Sequence, residues 1–432
     1  MALMNRKEFD AAVDFFTRVL RDHPESVEAH FCLGNAHVGR KDYPNALEIF
    51  GKVLKIAPNE AAVYFNRGCV YQKMQDSVQA FAEYTAAIAT KPNYAAAYYN
   101  RGNLLFSTGR VDEAVVDFER AILENPDDAD PYVALGLVKL VRQQAEQAIE
   151  QFSKAIERNP QHAKAYGNRG NAWEMLEKYD AALADYAKVE ELNPRDVKMF
   201  LNRAMVRFKL GDNEAAIADY GEAMKVAPNN SKSYAGRGHV YLRMKHFQKA
   251  IDDFNEAIRL TPNDGVSWMR RGQAYIAQGD KDRGIADFQE SIRLRADNWE
   301  VWHHLGMTRL NLGAMNEAVS DLTKAIELNP TNPGGYSSRG LALTKLGRLE
   351  EALNDHETAI KLNGTLVSPH FNRALILRIL NRLEESLAAF DRVIELDSKN
   401  AAAYKNRAGV YQLLGKEDLA HNDLQKAAEL AK

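Results

Sequence analysis

Six asparagines, Asn66, Asn100, Asn168, Asn202, Asn372 and Asn406, stand apart by multiples of thirty-four residues. Each carboxamide offers an acceptor and two donors, so a row of them can bond the backbone of an extended peptide with little demand on its sequence. The same row could equally bond neighbouring helices. Phe31, Phe65 and Tyr99 repeat at the same interval, with Asn35 and Asn103 four residues after the first and last. These rings form either an aromatic strip for an apolar partner segment or packing between successive helices. Lys164, Lys198 and Lys232 share the period, with Lys209 and Arg243 nearby. They would attract an acidic strand, or else they are solvated helix starts. Other chemistry is missing. His303 and His304 are adjacent and diverge by about 100° on a helix, which is not the i, i+4 spacing of a metal pair. Cys32 and Cys69 form no metal-spaced cluster, no Ser/His/Asp or Cys/His set shares a face, and Pro333-Gly334-Gly335 lacks a phosphate-loop lysine. Neither catalytic residue, metal nor cofactor is expected.

The elements that position these residues follow from the period. Prolines recur at 24, 58, 92, 126, 160, 194, 228 and 262 and again at 330, while Ala296, Gly364 and Ser398 keep the phase. A fixed period of this length is the mark of a repeat array. Counted from Val27, eleven repeats of thirty-four residues reach Asn400, after a partial repeat over 1–26 and before a slightly short one over 401–432. The whole chain reads as one all-α solenoid with no residues left for a second domain. Within the frame, positions 8, 20 and 27 are small, as at Gly102, Ala114 and Ala121, and positions 4 and 24 are aromatic, as at Tyr98 and Phe118. Small residues let helices approach and large ones fill the gaps. Breaks near position 15 and at the closing Asn-Pro predict two antiparallel helices per repeat.

Position 7 is arginine in nine repeats, from Arg67 and Arg101 to Arg407, and eight of these carry an acid sixteen residues later, as Arg101 with Asp117 and Arg407 with Asp423. Folding the hairpin back places the two opposite each other, so a structural ion pair within the repeat is expected in preference to an anion site. Leu33 faces Ile49 and Leu135 faces Gln151; Arg373 with Ala389 and Leu305 with Asp321 break the rule, which leaves Arg373 to look elsewhere.

Tyr98-Tyr99-Asn100-Arg101-Gly102, then Gly109, Ala114, Phe118, Ala121 and Pro126, resemble the skeleton of the tetratricopeptide repeat (TPR) family across all 432 residues. The resemblance implies a right-handed α-α superhelix whose first helices line a concave groove. The family also includes superhelices that hold peptides with an asparagine ladder. Its dicarboxylate clamp needs a lysine and asparagines at fixed positions of adjacent repeats. It is absent: Phe31 stands where the lysine belongs beside Asn35 and Asn66, and Gly167 where it belongs beside Asn171 and Asn202.

A formal net charge of -3, from 56 Lys+Arg against 59 Asp+Glu, gives no excess for nucleic acid, and no eighteen-residue apolar run suits a membrane. With no leader in MALMNRKEFD and two cysteines, the expected location is cytoplasmic. The expected function is a non-enzymatic scaffold holding an extended or acidic peptide, or a helix, of a partner protein in its groove, within a larger assembly. The alternatives are the substrate-recruiting part of a larger enzyme and a structural rod in a ciliary or other complex. The array starts at position 9 and stops without a polar capping helix, so either the chain continues or its ends stack on partners. Gly334, Gly335, His356 and Gly364 break several rules together, and a local change in curvature or a hinge is expected over 333–369.

Overall fold

The computed structural model describes residues 8–431, in which twenty-five α-helices follow one another without a strand. The expectation of no leader rests largely on residues outside that range. Each repeat is a pair: a first helix of thirteen residues, as at Ala95–Ser107, and a second of fourteen, as at Val111–Glu124. Two compact units divide the chain, Met1–Gly211 and Asp212–Lys432, the division falling between the two helices of one repeat.

Packing within a repeat is the small-against-large scheme. Phe50, Tyr84, Phe118 and Phe152 are fully buried, each lying over the glycine of the facing helix. A methyl placed on Gly102 would sit 2.7 Å from the Phe118 ring, so the hairpin closes to a distance only a very small residue allows. Within each unit, most successive first helices touch each other, as Ala95–Ser107 touches Ala129–Val141, while no comparable packing joins successive second helices. The first helices therefore lie closer together and line the inner side.

Two local devices shape the turns. Position 15 has positive φ in all twelve repeats: six glycines, including Gly109 and Gly279, and six others, Lys41, Gln75, Gln143, Glu177, Lys245 and Asn381. A side chain in the left-handed region costs about 1–2 kcal/mol against the right-handed one. Gln75→Gly, Gln143→Gly and Glu177→Gly are each expected to stabilise by up to about 1 kcal/mol, part of the relief being lost to unfolded-chain entropy. Unchanged or lower urea midpoints for all three would refute this. The second device is the polar tip of position 4, which hydrogen-bonds the carbonyl six residues back. Tyr98 and Tyr132 reach Pro92 and Pro126 at 3.2 Å, Trp268 reaches Pro262 at 2.9 Å, and His370 reaches Gly364 at 3.1 Å.

That last contact bears on the expected hinge. Pro333–Lys345, Leu349–Leu362 and Val367–Ile379 have the same lengths as the helices of other repeats. Asn332 caps the first of them by accepting from the Gly334 and Gly335 amides at 2.7 and 3.3 Å. His370 ties the turn that Gly364 left without a proline. Local replacements keep the three helices of this stretch regular in length.

Candidate inner-face sites

The arginine column is structural. Arg101 makes a two-pronged contact with Asp117, Nε to Oδ2 and Nη2 to Oδ1, both 2.7 Å. Arg169, Arg237, Arg271, Arg339 and Arg407 repeat it with Asp185, Asp253, Asp287, Asp355 and Asp423, and Arg67 pairs with Glu83 at 2.8 Å. The acids are buried and the arginines half-buried, so each pair sits beneath the inner surface. The remaining nitrogen makes a contact the sequence reading missed. It reaches position 25 of the preceding repeat: Arg101 to Thr85, Arg169 to Ser153, Arg271 to Asn255, Arg339 to Thr323 and Arg407 to Asp391. Arg373, which lacks its own acid, uses this second partner alone and meets Glu357 at 3.2 Å. Asp321, opposite Leu305, is met by Arg309 at 2.7 Å. Both exceptions find a charge one helical turn or one repeat away.

The asparagines divide. Asn66 donates to Asn35 Oδ1 at 2.9 Å, Asn202 donates to Asn171 Oδ1 at 2.5 Å, and Asn100 approaches Cys69 Sγ at 3.5 Å. These are bonds between first helices of adjacent repeats. Asn171 accepts in addition from the Tyr186 hydroxyl at 2.8 Å. Asn406 bonds Ala402 O and accepts from Arg378, whereas Asn168 has no hydrogen-bond partner among the described residues. Phe31, Phe65 and Tyr99 are half-buried, their rings 6.0, 5.9 and 6.2 Å from those of Phe50, Tyr84 and Phe118. They pack on the position-24 aromatics and leave one part in the groove, with Asn103 half-buried beside Tyr99. Burial pushes the thiols of Cys32 and Cys69 upward.

The cations also separate. Lys164 and Lys198 are exposed and line one cavity of about 340 Å³ with Asn168 and Asn202 in the first unit. Lys209 is engaged by Glu174 at 2.9 Å, which holds its ammonium above the ordinary lysine value. Lys232 and Arg243 belong to the second unit, so the five cations do not make one described wall.

The second unit has a larger cavity, about 730 Å³, that sequence reasoning did not find. It opens along the first helices Ser231–Arg243, Gly265–Gln278 and Trp299–Asn311 and reaches Asn332. Its polar lining includes Arg243, Arg270, Gln273 and Glu300 and three histidines. Burial lowers the basicity of His303, and brings His239 and His304 to about 4, so these rings are neutral at pH 7. His303 bonds Ser338 Oγ at 3.0 Å, and His304 stacks on Phe288. A signal was present at position 6: the asparagine column lapses to Gly236, Arg270, His304 and Ser338 in the four repeats around this cavity. Among the described residues, no cluster of three or more metal-capable side chains occurs, and no helix is long and apolar enough to cross a membrane.

With this geometry in hand, comparison with known proteins defines the class. Family models described as Tetratricopeptide repeat match residues 1–61, 61–94, 95–128, 133–197, 231–264, 266–298, 300–332, 322–354 and 367–400, and one described as TPR repeat matches 204–245. The chain belongs to the tetratricopeptide repeat family, whose arrays are protein-interaction scaffolds. No curated protein matches the sequence. Solved structures that resemble it include the APC/C hetero-tetramer Cut9-Hcn1, 16% identical over 99% of this chain and 92% of that one, TM-score 0.48. Yeast Tom70 is 17% identical over 92% of this chain and 96% of its own, TM-score 0.47. A tetratricopeptide repeat protein of Parabacteroides merdae is 22% identical over 57% and 98%, TM-score 0.46.

Proposed function

We propose that the chain is a non-enzymatic scaffold that holds an extended segment of a partner protein along its inner face. The observation that carries this reading is the cavity at Lys164, Asn168, Lys198 and Asn202. An unpartnered carboxamide and two exposed lysines line it, with one carboxylate, Asp196, over an apolar floor that includes Met199 and Val189. Unmet donors beside exposed positive charge suit a backbone with acidic side chains, and the apolar floor supplies burial. The aromatic edges of Phe31, Phe65 and Tyr99, together with Asn35, Asn66, Asn100 and Asn103, extend the same kind of surface toward the start of the array.

A photo-reactive amino acid in place of Asn168, compared with one at exposed Glu150 on a second helix, tests the reading. Cross-linked partner peptides are expected from the first site and not from the second, and Lys164→Glu/Lys198→Glu is expected to reduce them at least ten-fold. Equal cross-linking from both sites would move the interaction off the inner face.

A further inference from the structure

Guanidinium groups of the position-7 column, from Arg67 to Arg407, end on a carboxylate sixteen residues later; Arg270, next to one of them, does not. It occupies position 6, points along the inner face and lines the cavity of about 730 Å³. No hydrogen bond or ion pair engages it. Glu300 and Asp264 act on it only at longer range, and burial outweighs them, drawing its guanidinium below the ordinary arginine value. An arginine taken from water without a partner is costly, and a fold keeps one where a ligand supplies the missing charge.

We propose that Arg270 receives the side-chain carboxylate of an Asp or Glu inside an extended partner segment, whose apolar neighbours settle on Met269, Ile276 and Trp299. This rests on the inner-face reading above and adds the chemistry of the bound segment. Three arguments fix the occupant. The cavity crosses three successive first helices, and packed helices lie about 8–10 Å apart. A strand running from the first of these axes to the third, about 16–20 Å, needs about five to six residues at about 3.3 Å each. Arg270 is on the middle helix, so it meets the middle of such a strand and not its terminus. The charge balance calls for a monoanion: Arg270 is the one half-buried cation of the cavity, Arg243 is exposed at its edge, and Glu300 adds a negative charge to the lining. A phosphate dianion would seek several converging donors, and the neutral histidines add no charge.

The test uses acetylated, amidated octapeptide pools with randomised apolar positions around a fixed central Glu, Gln or phosphoserine. Binding is read by fluorescence anisotropy on the full chain and on Arg270→Gln, with circular dichroism as the folding control. The Glu pool is expected to bind at least ten-fold tighter than the Gln pool. Arg270→Gln should remove that difference while its melting temperature stays equal or rises, since a desolvated charge has been deleted. Arg270→Lys should restore part of the preference. A Glu pool no tighter than Gln, or a preference that survives Arg270→Gln, overturns the proposal, as does tighter binding of phosphoserine. A photo-reactive residue at Gln273 separates the two readings. Cross-linking by the Glu and Gln pools alike keeps the inner-face scaffold and rejects Arg270 as its acid reader. Absence of cross-linking by any pool rejects the acid reader, while partner cross-linking at Asn168 continues to judge the scaffold alone.

Discussion

Asp117→Ala is expected to lower the unfolding free energy by about 3 kcal/mol, near the bottom of the roughly 3–5 kcal/mol range for breaking a buried ion pair from one side. Asp117 is 3% exposed and takes both prongs of Arg101, whose third nitrogen is bound to Thr85 and whose plane lies 5.7 and 5.8 Å from the rings of Phe81 and Tyr98. Held on three sides, the guanidinium cannot swing fully to water, and its charge is left uncompensated. The reduced figure reflects the 18% of its side chain that already touches solvent. The double change Arg101→Leu/Asp117→Ile should differ from the parent by no more than about 1 kcal/mol, because desolvating a pair costs roughly what its attraction returns. The chain contains its own control: Leu33 and Ile49 fill these two positions in the repeat that begins at Val27. Urea unfolding followed by circular dichroism measures both. A double variant as unstable as Asp117→Ala would show that the pair contributes net stability and is not a device of register.

His356→Phe is expected to stabilise the second unit by about 1–3 kcal/mol at pH 7, the cost of leaving buried polar atoms unmatched. His356 is 0% exposed at the position where most other repeats have Phe or Tyr, and neither of its ring nitrogens has a partner. Gly340 lies beneath it as a glycine lies beneath Phe288, so the larger ring has a place prepared. The substitution should also change the pH profile. Burial lowers His356 to about 4 from 6.5, against the opposing pull of Asp355. The unfolded chain then binds the proton that the folded one refuses, so stability is greatest above pH 6.5 and falls as pH drops toward 4. At about 1.36 kcal/mol per pH unit, this site alone removes roughly 3 kcal/mol across the window. His356→Phe should flatten that part of the slope, while His304, also at about 4, retains some of it. Equal urea midpoints for parent and variant at pH 7.5, with parallel declines to pH 5, would refute the assignment.

The features legible in the sequence were those that repeat. Small residues at positions 8, 20 and 27 against aromatics at 4 and 24 announce paired helices, and the sixteen-residue interval of Arg101 and Asp117 follows from one hairpin. The contact from Arg101 back to Thr85 was hidden because it depends on how one repeat is rotated onto the next, which no hairpin geometry supplies. For the same reason Lys209 looked available while Glu174, in the preceding repeat, already held it. His370 shows why a rule can lapse without consequence, since its ring nitrogen does for Gly364 what tyrosine and tryptophan tips do elsewhere. Arg270 escaped for the opposite reason. Searching columns for recurrence passes over the place where a column stops, and Arg270 and His304, which line the cavity, stand where the asparagine column lapses.

The reach of six of these arginines to position 25 of the repeat before makes that residue a clasp between neighbours, and before two others the clasp has no side chain. Gly51 and Gly221 precede Arg67 and Arg237 and offer no side chain to hold, while Ala187, at the same place before Arg203, is bypassed by a contact from Arg203 to Glu190 at 2.6 Å. In a chain of nearest-neighbour modules the seams set where fraying stops and starts. The array is therefore a zipper with uneven teeth, and amide exchange should enter first at the seams ahead of Arg67 and Arg237. Thermal or mechanical opening would then release blocks of several repeats together instead of peeling one at a time.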